Sequence, residues 1–87
     1  MKISQLTNAP QWLLDAKTSD EDVEIIRGKV HWFSGNWHEG TWENGTWMAG
    51  TWYAGTWLDG MWLHGDWKGG TWRMGNWKGL PEPAVSK

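Results

Sequence analysis

The chain has 87 residues, no cysteine and a formal net charge of −2, from eight basic and ten acidic side chains. A chain of this length forms one domain with a small core, and without cysteine neither disulfides nor thiolate metal sites can stabilise it. The balanced charge disfavours nucleic-acid binding, and no apolar run is long enough for a signal peptide or a membrane span. We therefore expect a soluble, non-secreted protein without a membrane partner, stabilised by dense packing or by oligomerisation.

Residues 1–30 differ from the rest of the chain and are expected to form an N-terminal cap. Asn8 as N-cap and Pro10 in the first turn predict a short helix over residues 9–16. An acidic loop, residues 18–22, follows, and a β-rich segment with a bend near Gly28 then leads into the first repeat. Arrays of repeats need such a cap, because the end of their core is otherwise exposed to water.

Residues 31–80 form a repeat array with the pentad G-[T/N/D/M]-W-x-x, and residues 81–87, with two prolines, are predicted to be a flexible tail. Ten of the eleven tryptophans recur every five residues: Trp32, Trp37, Trp42, Trp47, Trp52, Trp57, Trp62, Trp67, Trp72 and Trp77. Nine glycines recur at the same interval: Gly35, Gly40, Gly45, Gly50, Gly55, Gly60, Gly65, Gly70 and Gly75. So many glycines disfavour a helix, and an odd period would alternate the tryptophans between the two faces of a continuous strand. The chain must therefore turn once in each pentad.

Two all-β folds turn the chain every five residues. An antiparallel meander of very short strands needs two-residue loops with positive φ at both residues, which suits only three of the nine loops, such as Asn44-Gly45. The other six have Ser, Glu, Ala, His or Met before the glycine, and these residues resist positive φ. A solenoid with four pentads per coil can use type II turns, in which only the glycine needs positive φ. The solenoid is therefore favoured. Its tryptophans are expected to point inward, with the glycines leaving room for them. Each indole should then stack on the indole 20 residues away in the sequence, at a distance of about 4.8 Å.

The repeats also resemble known families. The sequence of a small, a polar, a large apolar and two variable residues resembles the pentapeptide-repeat family, which folds as a right-handed quadrilateral β-helix. The runs of G-T-W-x-x-G, preceded by "APQWL" and an acidic "DVEI" segment, more closely resemble tryptophan-glycine repeat proteins of tailed bacteriophages. "WENG" resembles part of the MORN repeat, a hairpin module, which would favour the meander. The phage resemblance implies a location in the virion or in the cytoplasm of the bacterial host.

The ten regular tryptophans are predicted to be structural core, because a binding site needs a few placed rings rather than one in every repeat. No nucleophile motif, phosphate loop or metal-ligand spacing is present, so we expect no catalysis, metal or cofactor. Stacked threonines can bind ice, but a 20-residue coil would place only Thr51 over Thr71. Interaction is predicted at outward positions after tryptophan and at the basic end of the array: Phe33, Met48, Tyr53, Leu58, Lys68, Arg73 and Lys78.

The sequence thus predicts a non-catalytic, phage-type repeat protein that acts as a rigid structural or protein-binding module. It would be a virion or assembly component, or a factor that binds a host protein. We expect a homo-oligomer whose further partners are other virion proteins or a host protein. The alternative is a small-ligand sequestering protein that counteracts host defence.

Overall fold

A computed structural model, which describes residues 1–78, confirms a β-solenoid with an N-terminal cap. The predicted tail, residues 81–87, and the end of the predicted array, residues 79–80, lie outside the described residues. In chain order the elements are a 3-10 helix Ile3–Gln5, α1 Gln11–Asp15, β1 Lys17–Ile26, β2 Lys29–Glu39, β3 Thr41–Trp42, β4 Thr46–Trp47, β5 Thr51–Trp52, β6 Thr56–Trp57, β7 Met61–Trp62, β8 Asp66–Trp67, β9 Thr71–Trp72 and β10 Asn76–Trp77.

The coil has three sides, so the predicted four-sided coil with a 20-residue stack is wrong. Side I consists of the first half of β2 with β4, β7 and β10, side II of the second half of β2 with β5 and β8, and side III of β3, β6 and β9. Every repeat strand pairs in parallel with the strand 15 residues away, as Trp32 pairs with Trp47 and then Trp47 with Trp62. The parallel pairing also excludes the antiparallel meander.

The size of the indole ring accounts for the three sides. Consecutive tryptophans meet edge to face, with ring centroids 5.2–5.8 Å apart and interplanar angles of 67–82°. In the first coil Trp32 also contacts Trp42 at 6.3 Å, so three rings close on one another around the axis. Between coils the rings stack with centroids 4.7–5.0 Å apart and interplanar angles of 4–8°, near the predicted 4.8 Å. Both contacts are favoured geometries for aromatic pairs.

The repeat glycines are required for a different reason from the predicted one. Each has the expected positive φ, from 106° to 130°. A side chain there, however, would point toward the preceding coil, whereas the sequence analysis expected it to point into the core. A Cβ atom on Gly50 would lie 2.3 Å from the Gly35 carbonyl oxygen and 3.2 Å from the Trp32 Nε1. Glycine therefore lets successive coils approach to the spacing at which indoles stack.

The N-terminal cap takes the place of a preceding coil. Strand β1 pairs antiparallel with β2 along sides I and II. A two-residue turn, in which Arg27 and Gly28 both have positive φ, joins the two strands. Helix α1 lies over side III, where the Trp12 ring meets the edge of Trp42 at 5.1 Å. Leu13 of α1 and Val23 of β1 are fully buried in the same hydrophobic cluster as the repeat tryptophans. The tryptophan outside the repeat thus closes the first end of the indole stack.

Two details of the predicted cap are wrong. The helix begins at Gln11 with Pro10 at the N-cap, and no side chain caps it, so Asn8 does not have that role. The acidic residues predicted to form a loop lie in β1, which bulges between Ser19 and Asp22. The bulge places Asp20 and Glu21 opposite Gly35, where β2 turns the corner. The two chains are in close contact there, since a Cβ on Gly35 would lie 2.5 Å from the Glu21 Cα.

Replacing Gly50 by Ala is expected to destabilise the fold strongly. Its φ of 122° disfavours any L side chain and its new Cβ would overlap the Gly35 carbonyl, so we expect a loss of about 3 kcal/mol or more in the free energy of unfolding. Gly69→Ala is the control, because Gly69 has no positive φ and occupies the position at which Ala49 and Ala54 are accommodated. Equal stability of the two variants in chemical denaturation would contradict the glycine argument.

Replacing Trp52 by Ala tests the core directly. Trp52 is fully buried and stacked on both faces, by Trp37 and by Trp67. Its removal should cost roughly 3 to 5 kcal/mol of unfolding free energy. Trp67→Ala, at the end of the same stack where the ring is partly exposed, should cost clearly less. A Trp52→Ala cost below about 1 kcal/mol would show that the stack is not the stabilising core.

Candidate interaction surfaces

The residue after each tryptophan points outward and forms a ladder on each side of the coil. By the strand register, side I carries Phe33, Met48, Leu63 and Lys78, side II carries His38, Tyr53 and Lys68, and side III carries Glu43, Leu58 and Arg73. Neighbours in a ladder are separated by the strand spacing of about 4.8 Å. The solenoid therefore presents three narrow, regular faces.

The seven residues predicted as an interaction surface do not form one patch. Phe33, Met48 and Lys78 lie on side I, whereas Tyr53 and Lys68 lie on side II. The other two, Leu58 and Arg73, lie on side III. The structure instead groups six of them by coil. The middle coil carries Met48, Tyr53 and Leu58, one on each side. The last coil carries Lys68, Arg73 and Lys78, again one on each side. The basic end was predicted, but the placement of one basic residue on each of three sides was not, because it depends on a 15-residue coil.

Side I is the most apolar face of the solenoid. Phe33, Met48 and Leu63 are successive outward residues, and Met61 occupies the outward position before Trp62. Met48 is 36 % exposed, and the other three are partly buried against their neighbours. The corresponding ladder of side II includes Lys68, and that of side III includes Glu43 and Arg73. Side I alone therefore offers an unbroken apolar ladder over three coils.

Side II carries a hydrogen-bonded cluster that sequence reasoning did not find. The Ser19 Oγ lies 2.8 Å from the His38 Nε2, and the Asn36 Nδ2 donates to the same hydroxyl at 3.2 Å. The His38 ring stacks on Tyr53 at 5.1 Å with an interplanar angle of 7°. A serine beside a histidine can be an activated nucleophile, but this pair lies on an open face where it fastens β1 to β2. No spacing motif could have revealed it, because the register of β1 brings the two residues together.

Side III carries a threonine ladder that the sequence analysis predicted to be broken. Thr41, Thr56 and Thr71 pair in register, because the coil has 15 residues instead of 20. The adjacent outward ladder holds Glu43, Leu58 and Arg73, so a second hydroxyl ladder does not accompany the first. The regular threonines fit the β propensity of strand residues.

Two local groups of like charge stand out among the described residues, one in the bulge of β1 and one at the end opposite the cap. The bulge of β1 carries Asp20, Glu21 and Asp22, and Asp22 pairs with the N-terminal ammonium group. Burial raises the pKa of the Glu21 carboxyl, but backbone hydrogen bonds, above all that from the Ile3 N–H at 2.9 Å, outweigh it and hold this pKa below its ordinary value. The bulge is thus a local acidic patch in a cap whose charges nearly balance, whereas the opposite end of the described chain carries Lys68, Arg73 and Lys78 beside Asp66.

The hollows on the surface are shallow and lie mainly around the cap. The largest described, about 640 Å³, is open to solvent and is lined in part by Leu14, Lys17, Glu21 and His38. Within residues 1–78, no cluster of three or more His, Cys, Asp or Glu side chains could hold a metal ion. The arrangement that the fold offers is therefore a set of surfaces around a filled core.

Comparison with protein-family models, with curated proteins and with solved structures finds no match to this chain. Among the described residues, no helix has the length and apolar character needed to cross a membrane. The resemblance to phage repeat proteins therefore stays a prediction, whereas the tryptophan-rich β-solenoid is a structural finding.

Proposed function

We propose that the protein is a rigid, non-catalytic module that binds another protein through side I. The observation that carries the proposal is the unbroken ladder of Phe33, Met48 and Leu63 on a face of otherwise regular strands. Apolar side chains at fixed spacing on regular strands can be matched by a partner without ordering of the backbone of this chain. Aromatic residues and methionine are also enriched at protein interfaces.

The interior supports a structural role. Seven repeat tryptophans, from Trp32 to Trp62, are fully buried and in contact with one another along the axis. A core filled with rings resists bending, because each ring is fixed by stacked neighbours and by edge-to-face neighbours. This supports the role of spacer or docking platform, in which the distance between bound groups stays constant.

The phage resemblance suggests two settings for such a module. In one, the protein is a virion or assembly component and its partner is another virion protein. In the other, it binds a host protein during infection. The predicted homo-oligomer is compatible with both settings. The sequestering alternative needs a ligand pocket, and the described hollows, which are open to solvent, do not favour it.

A photo-crosslinking pair tests the use of side I. The crosslinking amino acid benzoyl-phenylalanine would replace Met48 on side I or, as control, Leu58 on side III. The two positions are equivalent in the repeat and are 36 % and 37 % exposed. In cells that make the protein naturally, we expect the crosslinker at position 48 to form a discrete adduct with one protein. The crosslinker at position 58 should form much less of the same adduct.

The identity of the captured protein would separate a virion role from a host-binding role. Met48→Asp should abolish the adduct of a crosslinker placed at Leu63, because a charge in the apolar ladder must be desolvated at an interface. Equal adducts at 48 and 58, or an adduct that Met48→Asp leaves unchanged, would contradict the assignment of side I.

A further inference from the structure

The C-terminal end of the solenoid differs from the rest of the coil in its burial. Trp67, Trp72 and Trp77 are only partly buried, whereas the seven preceding repeat tryptophans have no exposed area. Each of Trp52, Trp57 and Trp62 has a stacked indole on both faces. Within residues 1–78, each of the last three has a stacked indole on one face only. The stack therefore ends in three ring faces that no further indole of the described chain covers.

Within the described residues, the backbone ladder also ends with acceptors. In each pentad the residues before and after tryptophan donate their N–H groups to the preceding coil, as Asp66 does to the Gly50 carbonyl and Lys68 does to the Trp52 carbonyl. The next donors in register, for the carbonyls of Gly65 and Trp67, would be positions 81 and 83. Both positions are proline, which has no N–H to donate. At these two positions the sequence has no N–H group with which to continue the ladder of side II.

The same end of the solenoid also carries three exposed cationic side chains. In the last coil the outward residue after tryptophan is Lys68, Arg73 or Lys78, one on each side, and all three are exposed. In the preceding coil the same positions hold Tyr53, Leu58 and Leu63. The three cations therefore surround the last indole faces and the last strand edge of residues 1–78. A partner that contacts this end meets acceptors, aromatic faces and positive charge together.

We propose that this end binds an extended, acidic segment of another protein, which adds to the solenoid as a further coil of strand. Its N–H groups would bond to the carbonyls of Gly65, Trp67 and their equivalents on the other sides. An apolar side chain at every fifth position would cover the indole faces, and acidic side chains beside it would pair with Lys68, Arg73 and Lys78. Strand addition of this kind gives affinity through the main chain and specificity through the side chains.

The geometry favours this occupant over others. The molecule measures 37 × 23 × 18 Å, so an end of the coil is smaller than the roughly 800 Å² that each partner contributes to a stable globular interface. A second copy docked by the same end would bring its own three cations to the contact, and one docked by its cap would present β1 and α1, which already close its indole stack. A nucleic acid offers negative charge and bases but no main-chain N–H groups for the strand carbonyls. The inference extends the proposed protein-binding function to a second surface and does not depend on side I.

Fluorescence anisotropy with a designed peptide tests the proposal on the full chain. The probe is a labelled peptide one coil long, three copies of Gly-Thr-Trp-Glu-Ala, whose glutamates would lie over the three cations. We expect saturable binding that weakens at least about tenfold for the variant with Lys68→Glu, Arg73→Glu and Lys78→Glu. The matched control reverses Lys2, Lys17 and Lys29, three cations in or beside the cap, and should bind as the wild type does. Circular dichroism verifies that each variant is folded.

Two further probes separate strand addition from simple charge attraction. A peptide with lysine in place of glutamate should bind the charge-reversed variant and not the wild type. A peptide N-methylated at its threonine and glutamate residues keeps every charge but has lost the donors, and it should not bind. Undiminished binding of the methylated peptide, no binding of the acidic peptide, or tighter binding of a thymidine oligonucleotide than of the peptide would overturn the proposal.

Discussion

The whole fold depends on the approach of one coil to the next at glycine. The absent side chain of each repeat glycine lies where a methyl group would overlap the carbonyl oxygen of the coil before it, at 2.2–2.5 Å for the glycines from 45 onward. This approach allows the backbone hydrogen bonds between coils to form at the usual strand spacing, and that spacing sets the 4.7–5.0 Å between stacked indoles. The fold therefore requires both residues in each pentad. Glycine has no side chain between neighbouring coils, and tryptophan fills the interior of each coil.

The same dense arrangement has a cost. The indole N–H groups of eight repeat tryptophans are buried without a hydrogen-bond partner. Several lie against the glycine backbone of the next coil, as the Trp32 Nε1 lies beside Gly50. An unpaired buried N–H is unfavourable by about 1 to 3 kcal/mol, and the two kinds of aromatic contact at each ring offset part of this. A chain that tolerates so many unpaired groups relies on ring packing more than a typical small domain does.

The five-residue period with one glycine excluded a helix and a continuous strand, and the residues before the glycines, six of which resist positive φ, then favoured the solenoid over the meander. The sequence could not predict the number of sides, because the pentad is the same in a three-sided and in a four-sided coil. That number follows from how many indoles close around an axis, as Trp32, Trp37 and Trp42 do. The error carried through to the surface, since the neighbours of Met48 or Thr56 depend on the coil length. The pairing of Ser19 with His38 was hidden for a related reason, because a bulge in β1 decides which side chains meet.

The two proposed surfaces use different properties of this architecture. Side I depends on the repetition of apolar residues along one face, and the C-terminal end depends on where the repetition stops. The cap has already closed the opposite end with Trp12, Leu13 and Val23, so the coil is asymmetric along its axis. Such a molecule can bind one partner laterally and another at its end while holding the two at a fixed separation.

Engineered cysteine pairs give the most direct test of the three-sided coil, because the chain has no cysteine of its own. Thr71→Cys would be combined with Thr56→Cys, its neighbour in register on side III, or with Thr51→Cys, which lies on side II. Adjacent parallel strands bring Cα atoms to about 4.8 Å, within the range that a disulfide spans. We predict that mild oxidation forms an intramolecular disulfide in the 56/71 variant and not in the 51/71 variant. A disulfide in the 51/71 variant alone would contradict the 15-residue coil and restore the four-sided one.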